Sequence, residues 1–109
     1  MRYRVEIGFA WASGATDSDT KDLSQGYFGT IIVPAGSALI GKTLQFVAVS
    51  NGVTGHAATT LLTTPITLAA GANPISSSNS VEIGPVGNCL LRVNSAVGSA
   101  ATAALLWKS

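Results

Sequence analysis

The side chains that could bind a metal lie close together near the start of the chain. Asp17, Asp19 and Asp22 form a D-x-D-x-x-D pattern in a segment rich in Ser, Thr and Gly. Carboxylates at close spacing in a loop can bind Ca²⁺ through hard oxygen ligands. The glycine and the terminal glutamate that an EF-hand loop needs at set positions are absent. We therefore expect no metal site but a solvated acidic loop, in which aspartates hydrogen-bond to backbone groups near turns.

Catalysis by a nucleophile or by acid–base pairs has few candidate residues. His56 is the only histidine, and no Asp, Glu or Cys is near it in the sequence. After residue 22, Glu82 is the only acidic residue, whereas glycoside hydrolysis needs two carboxylates. Phosphate-binding, dinucleotide-binding, C-x-x-C and nucleophile-elbow motifs are missing. We therefore expect no enzymatic activity and no cofactor, and we interpret His56 as an exposed loop residue or a partner contact.

Charge is scarce in most of the chain. From residue 23 onward the charged residues are Lys42, Glu82, Arg92 and Lys108. Charged residues make up 10% of the chain, against about a quarter in a typical globular domain. Such a surface exposes hydroxyls and small apolar groups, or is covered by other protein. The composition therefore favours a packing or assembly role.

Several other classes are disfavoured by the composition. The chain is 47% hydrophobic with a net charge of +1, which argues against disorder and gives no basic patch for nucleic acid. No run of about 20 apolar residues could span a membrane. Glu6 interrupts the short apolar stretch near the N-terminus, so we expect no secretion signal. The single cysteine, Cys89, cannot form an intrachain disulfide and is expected to be a buried strand residue.

The elements that would position these residues are strands. Residues 2–11 alternate with a period of two, which predicts a half-buried strand, followed by a polar loop at 13–22. The apolar side of this strand consists of Tyr3, Val5, Ile7, Phe9 and Trp11. Further strands are predicted at 27–33, 43–50, 57–62, 65–70, 80–83, 89–95 and 100–107. Turns are predicted at Asn51-Gly52 and at residues 71–74.

The last of these segments is the ambiguous one. Its alanines and leucines favour a helix by propensity, but its length and the glycine turn before it favour a strand. With a strand there, the pattern predicts one all-β domain over residues 1–109. The pattern of about seven or eight strands predicts an antiparallel sandwich or barrel, with a jelly roll as one option, and we expect a β-sandwich. Its aromatic core residues are concentrated in the first half of the chain.

Two residue types have alternative interpretations. Arg92 falls on the outward side of the strand at 89–95. It is either a surface arginine whose stem covers apolar neighbours, or a contact to a partner subunit. Trp11 and Trp107 are expected to pack in the core or at a sheet edge. The alternative is a carbohydrate-stacking platform that includes one of them or Tyr27.

Four segments resemble small structural proteins of tailed bacteriophages. Residues 22–34 read D-L-S-Q-G-Y-F-G-T-I-I-V-P, which is similar to a D-L-x-G segment and an apolar strand that ends at proline. Residues 44–52, with L-Q-F-V-A-V-S-N-G, and residues 91–95, with L-R-V-N-S, resemble two later strands of these proteins. Residues 100–107 are similar to the small-residue strand that follows them. The tryptophan that usually follows the proline is replaced by the Ser37 to Leu39 region, and residues 57–79 have no clear counterpart.

The resemblance implies a β-sandwich virion protein, most often a capsid decoration (cement) protein on the head surface. Its expected partners are the major capsid protein and itself, as a homotrimer in preference to a homodimer. The expected location is the virion, after synthesis in the host cytoplasm. Strand 2–12 and loop 13–22 would contribute polar contacts to the shell or to a sister subunit. The candidate contact residues are Arg2, Arg4, Arg92 and His56. Alternatives are a tail, baseplate or fibre component, and a carbohydrate-binding sandwich.

Overall fold

The computed structural model describes residues 4–22, 28–49, 59–60, 62, 64–75 and 88–108. These residues form nine β-strands and no helix. The strands are β1 (Arg4–Trp11), β2 (Lys21–Asp22), β3 (Phe28–Val33), β4 (Thr43–Ala48), β5 (Thr59–Thr60), β6 (Ile66–Thr67), β7 (Gly71–Pro74), β8 (Asn88–Val93) and β9 (Ala101–Lys108). No helix that is long and apolar enough to cross a membrane is found in this part of the chain.

The strands form two antiparallel sheets. The four-stranded sheet has the order β1-β9-β3-β7, and the five-stranded sheet has the order β2-β8-β4-β5, with β6 also paired to β4. One apolar core lies between them, with side chains from both sheets. The predicted all-β sandwich is therefore confirmed. The strand order does not confirm jelly-roll connectivity.

Strict alternation along the strands places the core. In β1 and β9 the odd-numbered residues point inward, and in β4 the even-numbered residues do so. The largest fully buried side chains are Trp11, Phe9, Phe46, Ile31, Leu39, Leu44, Leu68, Leu91 and Leu105. The sequence prediction that the aromatic residues of the first half enter the core is confirmed for Phe9, Trp11 and Phe46.

The predicted turn at residues 71–74 is wrong. These residues form β7, an edge strand that pairs with β3, with Val33 opposite Gly71 and Thr30 opposite Pro74. Gly, Asn and Pro are turn-forming residues, so the segment has the composition of a turn. The chain instead turns as it enters this strand, at Gly71, which has a φ of 92°. Proline is tolerated at an edge strand because its missing N–H can face away from the sheet.

The other predicted elements have different outcomes. The segment at 100–107 is a strand, as predicted, and forms β9 in the centre of the four-stranded sheet. Residues 43–50 and 89–95 contain β4 and β8, and the apolar faces predicted for both are buried. The predicted strand at 57–62 is described only at β5 and Leu62. The predicted Asn51-Gly52 turn and the strand at 80–83 lie outside the described residues.

Candidate interaction surface

The acidic loop after β1 is held by an ion pair to the five-stranded sheet. The Nε of Arg92 lies 2.7 Å from Oδ1 of Asp17, and its Nη2 lies 3.0 Å from Oδ2. The two side chains remain 41% and 36% exposed. The hydrogen bond from Arg92 holds the pKa of Asp17 below its ordinary value, although partial burial opposes this shift. The guanidinium that was a candidate partner contact is thus engaged within its own chain.

The next two residues connect this loop to both sheets. Ser18 is buried, and its N–H and Oγ bond to the carbonyl and N–H of Leu91, each at 2.9 Å. Asp19 donates its N–H to the carbonyl of Ala10 at 3.1 Å and accepts from the Ala10 N–H through Oδ1 at 3.0 Å. The Nζ of Lys21 lies 3.2 Å from Oδ2 of Asp19. Ser18 is buried and so departs from the expected solvated loop, whereas Asp17 stays 36% exposed beside Arg92 and the expected aspartate-to-backbone bond is present at Asp19.

These contacts give the loop a structural role. Within the part of the chain that the structure describes, no three His, Cys, Asp or Glu side chains lie close enough together to hold a metal ion. The Thr16 carbonyl accepts from the indole Nε1 of Trp11 at 3.1 Å and from the Val93 N–H at 2.9 Å. The loop thereby joins the edge of one sheet to a central strand of the other.

Removal of the Asp17 charge is expected to reduce stability in a pH-dependent way. Because the folded-state pKa is lowered, the ion pair stabilises the fold above the unfolded pKa, and this contribution is lost as pH falls through the folded pKa. The pair is partly exposed, so Asp17→Asn should lower the free energy of unfolding by about 1 kcal/mol or less at pH 7. Urea denaturation of both proteins should show that this difference disappears in strongly acidic buffer.

The matched control for this prediction removes the other partner. Arg92→Gln should lower the free energy of unfolding by a similar amount at neutral pH. The variant that carries both substitutions should lose less stability than the sum of the losses of the two single variants. The role of the Asp17 charge would be contradicted if Asp17→Asn lowered the free energy of unfolding by the same amount at neutral and at strongly acidic pH.

The single cysteine is a core residue. Cys89 is fully buried on the inward face of β8, as the sequence predicted. Burial, with a smaller contribution from the negative charge of Asp22, raises the pKa of its thiol to about 11. A protonated, enclosed thiol is a poor nucleophile. Cys89 therefore acts in this fold as a small apolar side chain.

The two predicted contact residues that the structure describes, Arg4 and Arg92, lie in different sheets. Arg2 and His56 lie outside the described residues. Arg4 lies in β1, opposite Lys108 of β9, in the four-stranded sheet. Arg92 lies in the five-stranded sheet and is paired with Asp17. The contact prediction therefore stays a prediction for all four residues.

The aromatic residues that could stack on a sugar are described to different extents. Trp11 is 2% exposed, which confirms the core interpretation and removes it as a stacking platform. Trp107 occupies a position in β9 opposite Val5 of β1 and Gly29 of β3. Tyr27 lies outside the described residues. Of the three candidate platform residues, the one whose side chain is described is therefore buried.

The outer face of the four-stranded sheet is uncharged over its centre and is lined by small side chains. Gly8, Ala104, Ile32 and Ala72 form one row across the sheet, because they are register partners in four successive strands. We call this row, with Ala10 and Thr102 beside it, the small-residue face. It contains a shallow, open depression of about 480 Å³, bordered by Pro34 and by the Asp19–Lys21 ion pair.

The outer face of the five-stranded sheet is different in character. Gln45 accepts from the Leu62 N–H at 2.7 Å and donates to the Leu62 carbonyl at 3.1 Å. Asn94 accepts from the Thr43 N–H at 3.1 Å, and Arg92 is held by Asp17. These polar groups are bonded within the chain, and the apolar register partners Val47 and Leu90 lie beside them on the same face. The two outer faces thus carry different side chains, which the one-dimensional pattern did not indicate.

Comparison with known proteins gives no assignment. No protein-family model, no curated protein and no solved structure matches this chain. Inference about function therefore rests on the residues and geometry described above.

Proposed function

We propose that this protein is a bacteriophage capsid decoration protein, which binds the outer surface of the assembled head and stabilises contacts between capsomers. The observation that carries the proposal is the small-residue face on the four-stranded sheet. Its side chains are uncharged and, apart from that of Ile32, short, so a partner can approach it closely without the desolvation of charged groups. Small side chains also lose little rotamer entropy when they become ordered at an interface.

The proposed partner is the major capsid protein. A flat β-sheet surface suits an extended, ordered shell better than it suits a small ligand, because ligand sites are concave and enclose most of the molecule they bind. The β-sandwich fold is also the fold that the resemblance to phage structural proteins implied. A cyclic homo-oligomer would place several such faces on a symmetric position of the shell.

The proposal is tested by binding of the purified chain to heads that lack it. Thr102→Arg places a long cation on the small-residue face, and Thr67→Arg is the matched control on an exposed threonine of the other sheet. We expect Thr102→Arg to weaken co-sedimentation with heads by about tenfold or more, since an interfacial charge must be desolvated without a partner. Thr67→Arg should bind as the parent protein does.

Two outcomes would contradict the proposal in different ways. If the parent chain does not bind heads, the decoration role is wrong. If both arginine variants bind equally well, the small-residue face is not the contact. Circular dichroism must first show that both variants are folded, so that a loss of binding can be assigned to the surface.

Location on the particle separates decoration from the tail, baseplate or fibre alternative. Quantitative mass spectrometry of purified virions gives the copy number relative to the major capsid protein. A high copy number in fixed ratio to the shell protein would support the decoration role. A few copies per particle would place the protein in the tail, and absence from the particle would contradict both.

A further inference from the structure

Strand β1 is an edge of the four-stranded sheet. Among the described strands it pairs only with β9. Successive residues of a strand direct their N–H and C=O groups to opposite sides. The backbone groups of Ala10 bond to Asp19, so Ala10 and the other even-numbered residues of β1 point away from β9. The outward groups of β1 are therefore those of Arg4, Glu6, Gly8 and Ala10.

Only the end of this edge is protected within the described structure. Asp19 occupies both backbone groups of Ala10. No other described strand pairs with the outward groups of Arg4, Glu6 and Gly8. A regular eight-residue edge strand is a template for pairing with another chain, unless it is blocked by bulges, prolines or a cover. β1 contains no proline.

We propose that β1 pairs antiparallel with β1 of a second copy of this chain, around a two-fold axis that places Val5 opposite Val5. In this register Arg4 lies opposite Glu6 of the second copy, and Glu6 lies opposite Arg4 of the second copy. Both positions direct their backbone groups outward, so each pair can exchange two hydrogen bonds. Two oppositely charged cross-strand pairs form at once, because the arrangement is symmetric.

Charge and geometry together exclude the neighbouring registers. A shift that centres the pair on position 6 places Glu6 opposite Glu6, and a shift that centres it on position 4 places Arg4 opposite Arg4. Like charges directly opposite each other are destabilising. A larger shift toward the C-terminus requires the backbone of Ala10, which Asp19 already uses. Registers that pair an odd with an even position would oppose outward groups to groups already bonded to β9.

The pairing has a consequence for the surface. It would join the two four-stranded sheets into one eight-stranded sheet, with both small-residue faces on the same side, since the two-fold axis is perpendicular to the sheet. A strand edge that pairs with itself closes with two copies. This two-fold differs from the homotrimer that we expected from the sequence. It does not depend on the proposed function, because it is a property of the purified chain.

Sedimentation velocity of the purified chain tests the proposal through charge exchange. Arg4→Glu and Glu6→Arg should each weaken the dimer by about tenfold or more, because attractive pairs become repulsive. The double variant R4E/E6R restores opposite charges and should restore dimerisation. Lys42→Glu is the control, because it makes the same change in net charge as Arg4→Glu at a residue outside β1, whose Nζ donates to Ser95. This variant should leave dimerisation unchanged. Added salt should weaken the parent dimer.

A backbone variant at position 6 separates the strand pairing from the charge. Glu6→Pro and Glu6→Gln remove the same charge, but Glu6→Pro also removes the outward N–H that the proposed register uses, and none of the hydrogen bonds between β1 and β9. We therefore expect Glu6→Pro to fold and to lose dimerisation, whereas Glu6→Gln should weaken it only partly. The proposal is overturned if the parent chain is monomeric, if Glu6→Pro and Glu6→Gln dimerise equally well, or if the double charge exchange fails to restore what the single exchanges remove. Circular dichroism confirms that each variant is folded.

Discussion

Replacement of Trp11 by alanine is expected to lower the free energy of unfolding by about 3–5 kcal/mol, the usual loss for a buried aromatic side chain. Trp11 is 2% exposed and is the largest fully buried side chain. Its truncation leaves a cavity between the sheets that the surrounding side chains fill only partly. It also removes the donor to the Thr16 carbonyl, which anchors the acidic loop. Urea denaturation followed by far-UV circular dichroism measures the change.

Two further variants separate the parts of this effect. Trp11→Phe keeps most of the packing but loses the indole N–H, so its expected cost is about 1–2 kcal/mol. Thr102→Ala, on the outer face of the neighbouring strand, should change stability by less than about 0.5 kcal/mol. If Trp11→Ala cost no more than Thr102→Ala, the position of Trp11 in the core would be contradicted.

Replacement of Asn73 by alanine is expected to lower the free energy of unfolding by about 2–4 kcal/mol, because four hydrogen bonds of one buried side chain are lost together. The Asn73 Oδ1 accepts from the Ala69 N–H at 2.9 Å. Its Nδ2 lies 2.9 Å from the Ala69 carbonyl and 3.1 Å from those of Ile31 and Gly71. One side chain thus holds the turn before β7 and ties it to β3. Equilibrium unfolding in urea measures the loss.

The matched control for Asn73 is the exposed asparagine at position 94. Asn94 accepts one hydrogen bond from the Thr43 N–H, so Asn94→Ala should cost about 1 kcal/mol or less. Asn73→Asp should be at least as harmful as Asn73→Ala, because a carboxylate would face carbonyl oxygens in a buried site. Equal costs for Asn73→Ala and Asn94→Ala would show that the buried network does not stabilise β7.

The proposed face and the proposed edge are experimentally separable. Thr102→Arg alters the small-residue face, whereas the exchanges at Arg4 and Glu6 alter the edge of the same sheet at positions outside that face. If the edge pairs and the face binds heads, the dimer presents a face of twice the width, and dimerisation should strengthen head binding. A chain that dimerises but does not bind heads would keep the edge proposal and refute the decoration role.

Local pattern determined much of the fold. Alternation is a property of an extended chain and needs no knowledge of its neighbours, so it correctly identified β1, β4 and β8 and the burial of Phe9, Phe46 and Cys89. The low charge content correctly indicated that an uncharged outer surface would exist. The same local reasoning was wrong at β7, since Gly71, Asn73 and Pro74 have turn-forming side chains and the adjacent edge of β3 was not visible in the sequence.

Tertiary structure alone decided which residues meet. Leu39 and Val97 lie in connections between strands, yet both are buried in the core, because the space between two sheets is also closed by the segments that join them. Asp17 and Arg92 are 75 positions apart and form an ion pair only because loop 13–20 folds onto β8. The row of Gly8, Ala104, Ile32 and Ala72 depends on the order β1-β9-β3-β7. Strand order and register arise from contacts between distant segments, and a local pattern carries no information about them.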